Sequence, residues 1–98
     1  MLPETQSNLE YFRQLHAQYN RYMGKYFGFT MKQIAEFMGL KKSTFSDIIK
    51  GQRNLTDEHE QAFNRAFEEF KIYEKTRDFK ETAQQRSLRD YWKAQKKA

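Results

Sequence analysis

The 98-residue chain carries 18 Lys and Arg against 13 Asp and Glu, a net charge of +5, and 16% of its residues are aromatic. That length suits one domain with a small core and leaves no room for a separate catalytic or ligand-sensing domain of ordinary size. The lack of cysteine excludes disulfides, thiolate metal sites and thiol nucleophiles, while the basic balance favours an anionic partner.

Pro3 is the only proline, and the glycines at 24, 28, 39 and 51 lie in the first half, so helix should dominate. Ser7 to Glu10 reads as a capping box opening a first helix in which Leu9, Phe12, Leu15, Tyr19, Tyr22, Met23 and Tyr26 recur at three- and four-residue steps. Gly28 is its expected terminator and Gly24 a weak point within it. Thr30 with Gln33 forms another capping box, and Ile34, Ala35 and Met38 share one face of the helix that follows. Gly39 supplies a left-handed turn, after which Phe45 and Ile48 mark the inner face of a helix ending at Gly51. Ala35 is the small residue where the two helices approach.

Thr56 is placed to cap a fourth helix, with Asp57, Glu58 and Glu60 in its first turn and a stripe of Phe63, Ala66, Phe67 and Phe70. Asp78 and Glu81 suggest a fresh start, with Phe79, Ala83, Leu88, Tyr91 and Trp92 on a looser apolar face. No glycine or proline separates these last two helices, so one continuous or bent helix is the alternative to the break we favour. Nothing alternates as a strand would. The expected fold is all-α, a compact bundle of about five helices.

With Phe45 and Ile48 turned inward, Lys42, Ser43, Thr44, Ser46 and Asp47 face outward or towards the start of their helix. Lysine can donate to guanine, the hydroxyls can donate or accept, the threonine methyl can meet thymine, and a carboxylate can accept from cytosine N4. Asp47 is equally suited to pair with Lys50 or Lys42 on the surface. Positive charge concentrates on residues 41 to 53, through Lys41, Lys42, Lys50 and Arg53, whereas residues 54 to 74 are net acidic. From Lys75 the chain is basic again, which reads as a solvated face or as a supporting phosphate contact.

The pattern Ile34-Ala35, Met38-Gly39-Leu40, Phe45, Ile48 and Gly51 resembles the lambda repressor/Cro-type helix-turn-helix, the XRE family. Gly28-Phe29-Thr30 looks like its turn between helices one and two, and Gly51 to Leu55 like its loop after the recognition helix, so the resemblance covers roughly residues 9 to 70. It implies a lambda repressor-like domain over 1–74 with its recognition unit at 30–54, and a basic helical extension over 75–98 belonging to the same domain. It further implies a sequence-specific double-stranded DNA-binding regulator, a repressor, that inserts the helix at about 42–50 into the major groove as a homodimer on a palindromic operator. Lys42, Ser43, Ser46 and Asp47 match the family's base-contacting positions, with Thr44 beside them. Lys50, Gln52, Arg53 and Asn54 match the loop that meets the backbone, and Lys41, just before the recognition helix, is expected to meet the backbone as well. Many members carry glutamine where Met31 and Lys42 stand, so Thr30, Lys32 and Gln33 must anchor the start of the first motif helix.

The dimer surface is open between the extension, through Phe79, Leu88, Tyr91 and Trp92, and the long first helix; those aromatics equally suit closure of the monomer's own core. The alternative function is a protein-interaction module of the same fold, an antitoxin or phage accessory protein, in which DNA binding is secondary or absent. No enzyme is expected: His16 and His59 lie on different helices, without metal-ligand spacing or a phosphate-cradling glycine loop. No metal or cofactor is implied, and no segment reads as a leader or membrane span, so a cytoplasmic location is expected.

Overall fold

The computed structural model describes residues 1–82. Within them α1 spans Pro3–Tyr19, a 3-10 turn covers Asn20–Tyr22, and α2 spans Met23–Phe27; α3 (Met31–Met38), α4 (Lys42–Ile49) and α5 (Asp57–Glu69) follow. A sixth segment, α6, is helical over 72–82. The architecture is all-α, as the residue pattern suggests, but three helix boundaries fall elsewhere.

The first is the start of α1, at Pro3 rather than at Ser7, which lies inside the helix. Proline suits a first turn, where its missing N–H would have no intrahelical partner. The Leu2 N–H is satisfied from far away in sequence, by the Glu60 carboxylate on α5. A distant cap has replaced the local one.

The second is the break after Tyr19. Asn20 adopts φ 36°, outside the helical region, and the chain restarts as α2 at Met23. Restarting the helix changes its phase. Leu9, Phe12 and Leu15 are buried as expected, but beyond the break Met23 and Phe27 point inward while Tyr22 and Tyr26 remain exposed.

The core gathers around four rings. Phe12 of α1 lies 5.4 Å from Phe45 of α4, 6.5 Å from Phe63 and 6.3 Å from Phe67 of α5, in tilted or edge-on arrangements that suit the ring quadrupoles. Burying each such side chain contributes about 1.5–3 kcal/mol. The cluster therefore joins the first, fourth and fifth helices directly.

Beside this apolar core runs a polar bridge. The Thr5 hydroxyl donates to Glu60 at 2.7 Å, Asn64 donates to Thr5 and accepts from Asn8, each at 2.9 Å, and the Tyr73 hydroxyl donates to Asn8. The Leu2 N–H first and the Thr5 hydroxyl second hold the Glu60 carboxyl below its ordinary value of 4.5, against the upward push of burial. A depressed folded value means that Glu60 stabilises the fold fully above about pH 4.5 and loses that contribution as pH falls through the folded value. Urea unfolding of wild type and Glu60→Gln should accordingly differ at neutral pH and converge as the pH falls below the folded value. Equal stability of the two proteins at pH 7 would remove this role for the carboxylate.

The third boundary is the α5–α6 corner. Lys71 takes φ 51° and α6 begins at 72, six residues before the expected start at Asp78. Ile72 and Thr76 are fully buried, and the Thr76 hydroxyl bonds back to the Ile72 carbonyl at 2.8 Å. Phe79 packs on Tyr19, Tyr26 and Phe27 of the same chain, so this aromatic closes the monomer's own core. Ala83, Leu88, Tyr91 and Trp92 lie outside the described residues. Among those described, no helix is long and apolar enough to cross a membrane, and no group of three His, Asp or Glu side chains is placed to hold a metal.

Candidate nucleic-acid interface

Residues 30 to 51 fold as two short helices about a glycine corner. Thr30 Oγ1 accepts from the Gln33 N–H at 3.2 Å, and Gln33 Oε1 accepts from the Thr30 N–H at 2.9 Å, which completes the capping box. At the far end Gly39 holds φ 75°, the Leu40 N–H returns to the Ala35 carbonyl at 2.8 Å and the Gly39 N–H to Glu36 at 3.1 Å. Ile34 and Ala35 are fully buried on α3, facing the core that Phe45, Ile48 and Ile49 enter from α4. Ile49 is an inner residue that the three-residue step from Phe45 to Ile48 does not disclose.

The capping box uses up Thr30: its N–H and hydroxyl both face Gln33 Oε1. The Gln33 NH2 group keeps its donors. Lys32 is exposed on the same first turn, where Met31 is buried. Of the expected anchors at this end, Lys32 and the Gln33 amide thus have groups to offer, and Thr30 serves the helix start.

On α4, Lys42 and Ser43 are exposed, and Thr44, Ser46 and Asp47 are half-buried. Lys41 precedes the helix in extended conformation and provides no side-chain cap. The first intrahelical donor is the Phe45 N–H, to the Lys41 carbonyl at 3.0 Å. The three amides before it carry no intrahelical bond, at the end of the helix whose dipole favours an anion. The five expected base-contacting side chains thus come together on one polar end and flank of a helix whose other flank is fixed in the core.

The opposite end of α4 is held by a residue that motif reading overlooks. Arg13 of α1 donates through Nε to the Ile49 carbonyl at 2.9 Å and through Nη2 to the Ile48 carbonyl at 3.4 Å. A guanidinium suits the negative end of a helix dipole and fits two carbonyls at once. Nothing in the local sequence spacing signals this partner. Lys50 lies near His16, whose imidazole is held below its ordinary value by burial first and by the Lys50 charge second. Gln52, Arg53 and Asn54 are exposed in the loop that follows; Arg53 and Asn54 line a cleft of about 510 Å3 shared with Gln6, Glu10 and Arg13 of α1. Lys50 and Arg53 therefore sit on the α1 side, and Lys32 and Lys42 sit together at the starts of α3 and α4.

A second cleft, of about 230 Å3, is lined by Asn20, Arg21, Met23, Gly24, Thr30, Met31, Lys32 and Lys42. Its wall depends on Gly24, where an added Cβ would lie 2.9 Å from the Thr30 methyl. That methyl has no freedom to turn away while the Thr30 hydroxyl holds the cap. Gly24→Ala is therefore expected to lower stability by about 1 kcal/mol net of the helix preference of alanine, and Thr30→Ser in the same chain to restore it by removing the methyl and keeping the hydroxyl. Thermal melts of the two single variants and the double variant check this; a stabilised Gly24→Ala protein would refute the close packing.

No protein-family model matches the chain, nor does any curated protein or solved structure.

Proposed function

We propose that the chain is a sequence-specific double-stranded DNA-binding transcription regulator of the lambda repressor/Cro helix-turn-helix type, and that it acts in the cytoplasm as a homodimeric repressor on a palindromic operator. What carries the reading is α4: its inner flank is locked by Phe45, Ile48 and Ile49, while its outer end presents Lys42 and Ser43 with uncapped amides. A helix so held fits the major groove, where hydrogen-bonding edges distinguish the four base pairs. Lys42, Ser43, Thr44, Ser46 and Asp47 are assigned to bases. Lys32, Gln33, Lys41, Lys50, Gln52, Arg53 and Asn54 are assigned to phosphates, and Thr30 to the cap that positions them. A chain this small represses by occupying a promoter.

The two classes of contact predict different variants. Lys50→Ala and Arg53→Ala should each weaken binding to every duplex and reduce the slope of log affinity against log salt by about one unit. Ser43→Ala should cost about 1–3 kcal/mol on the selected site and little on random DNA. Selection of bound duplexes from a random pool, followed by salt titrations, tests all three: an unselective pool removes sequence reading, and unchanged slopes remove the phosphate assignments. The protein-interaction module is favoured by one observation, the 41% exposure of Phe37 on α3. Absence of duplex binding at low salt would select it.

A further inference from the structure

The break in the first helix does more than shift the phase of its tyrosines. It carries Arg21 to the cleft that Lys32 from the start of α3 and Lys42 from the start of α4 also line. Three cationic residues from three separate elements therefore line one space, and no described carboxylate does so. Among the described residues the one ion pair is Arg77–Asp78, so no described carboxylate pairs with any of the three. The surrounding sequence is equally one-signed: residues 11 to 35 contain Arg13, Arg21, Lys25 and Lys32 and no Asp or Glu. Like charges around one cleft repel, and an anion seated among them reverses the sign of that energy.

The local structure holds Arg21 in place. Its guanidinium lies over the Tyr22 ring, 5.3 Å from the centroid, and the preceding Asn20 is kept at φ 36°, a conformation that costs an L residue energy. The Asn20 side chain adds a neutral hydrogen-bonding group to the same wall. A cleft of about 230 Å3 exceeds the roughly 30 Å3 share of a water molecule several-fold.

Resting on the DNA reading above, we infer that the Asn20–Tyr22 turn is a second backbone-gripping element, in which Arg21 closes over one phosphodiester that Lys32 holds from the other side. Lys42 both lines this cleft and stands exposed at the start of α4, so the gripped phosphate would border the groove that α4 enters. The interface then extends beyond residues 30 to 54 to a turn outside the helix-turn-helix unit. Arg21 contributes a charged contact that is indifferent to sequence and sets how deeply α4 sits.

The test compares wild type, Arg21→Ala, Arg21→Lys and Arg77→Ala by fluorescence anisotropy on a labelled random-sequence duplex over a salt series. Loss of one phosphate contact lowers the slope by about 0.9, which weakens binding about eightfold at 0.1 M salt and leaves it unchanged towards 1 M. Arg21→Ala is expected to show both changes, Arg21→Lys to keep the wild-type slope, and Arg77→Ala, an exposed arginine on α6, to match wild type. Arg21 is exposed, so its removal leaves the fold intact, which a thermal melt verifies. An Arg21→Ala slope equal to that of wild type, in a protein that binds the duplex, overturns the inference and spares the DNA reading. Absence of duplex binding by all four proteins overturns the DNA reading itself. Amide shifts at Arg21 and Lys32 with inorganic phosphate, without any effect of Arg21→Ala on duplex binding, would assign the cleft to a free anion and also overturn it.

Discussion

Phe45→Ala is expected to destabilise the protein by about 3–5 kcal/mol, which would bring a domain of this size close to unfolding. Phe45 is fully buried, with ring centroids 5.4 Å from Phe12 and 6.2 Å from Phe63, so it is the point at which α4 is pinned to both α1 and α5. Truncation removes the transfer energy of the ring and leaves a void between two aromatic neighbours that cannot both move into it. Phe45→Leu keeps much of the volume and should lose less. Urea unfolding followed by far-ultraviolet circular dichroism measures both, and a loss below about 1 kcal/mol for the alanine variant would mean that α4 is held by something else. On the DNA reading, the same variant should lose specific and non-specific binding together, because every contact of α4 depends on its seat.

Asn64→Ala is expected to cost about 1–3 kcal/mol, although the side chain is only half-buried. Its amide is the joint of the polar bridge, accepting from Asn8 and donating to Thr5. Asn8 is 4% exposed, so removing its acceptor strands a buried NH2 donor that water cannot readily reach. Thr5 still donates to Glu60, which limits the damage on that side. A double-mutant cycle with Asn8→Ala separates the contact from general loss of packing. A coupling energy near zero between positions 8 and 64 would show that the bridge contributes nothing beyond its separate parts.

Local chemistry made the corner between α3 and α4 legible. Thr30 with Gln33, Gly39, and the apolar steps through Ile34, Met38, Phe45 and Ile48 each act within a few residues, and the structure contains the capping box and left-handed turn they imply. The outward placement of Lys42 and Ser43 follows from the same spacing. Distant partners made the rest illegible. The early start of α1 depends on Glu60, the end of α4 on Arg13, and neither pairing leaves a trace in sequence spacing. The break at Asn20 contradicts a regular apolar period through Tyr22 and Tyr26, and Gly24, the weak point the sequence suggests, lies four residues later, inside α2. Its warrant is tertiary: Met23 and Phe27 must turn inward, and Gly24 must pass close to Thr30. At α6, Ile72, Thr76 and Phe79 already stand at helical spacing, but the pattern emerges only when a buried threonine is counted with the apolar residues.

The polar bridge also bears on the order in which the molecule can assemble. The α3–α4 pair closes within some twenty residues, whereas the bonds from Thr5, Asn8 and Tyr11 to α5 and α6 join residues 55 to 65 positions apart. Loop closure on that scale adds little to the equilibrium cost, about 0.6 kcal/mol for each doubling of length, but long-range contacts of this kind slow folding. Docking of the first helix is thus the step whose timing the whole chain sets, and the corner between α3 and α4 can be in place before it.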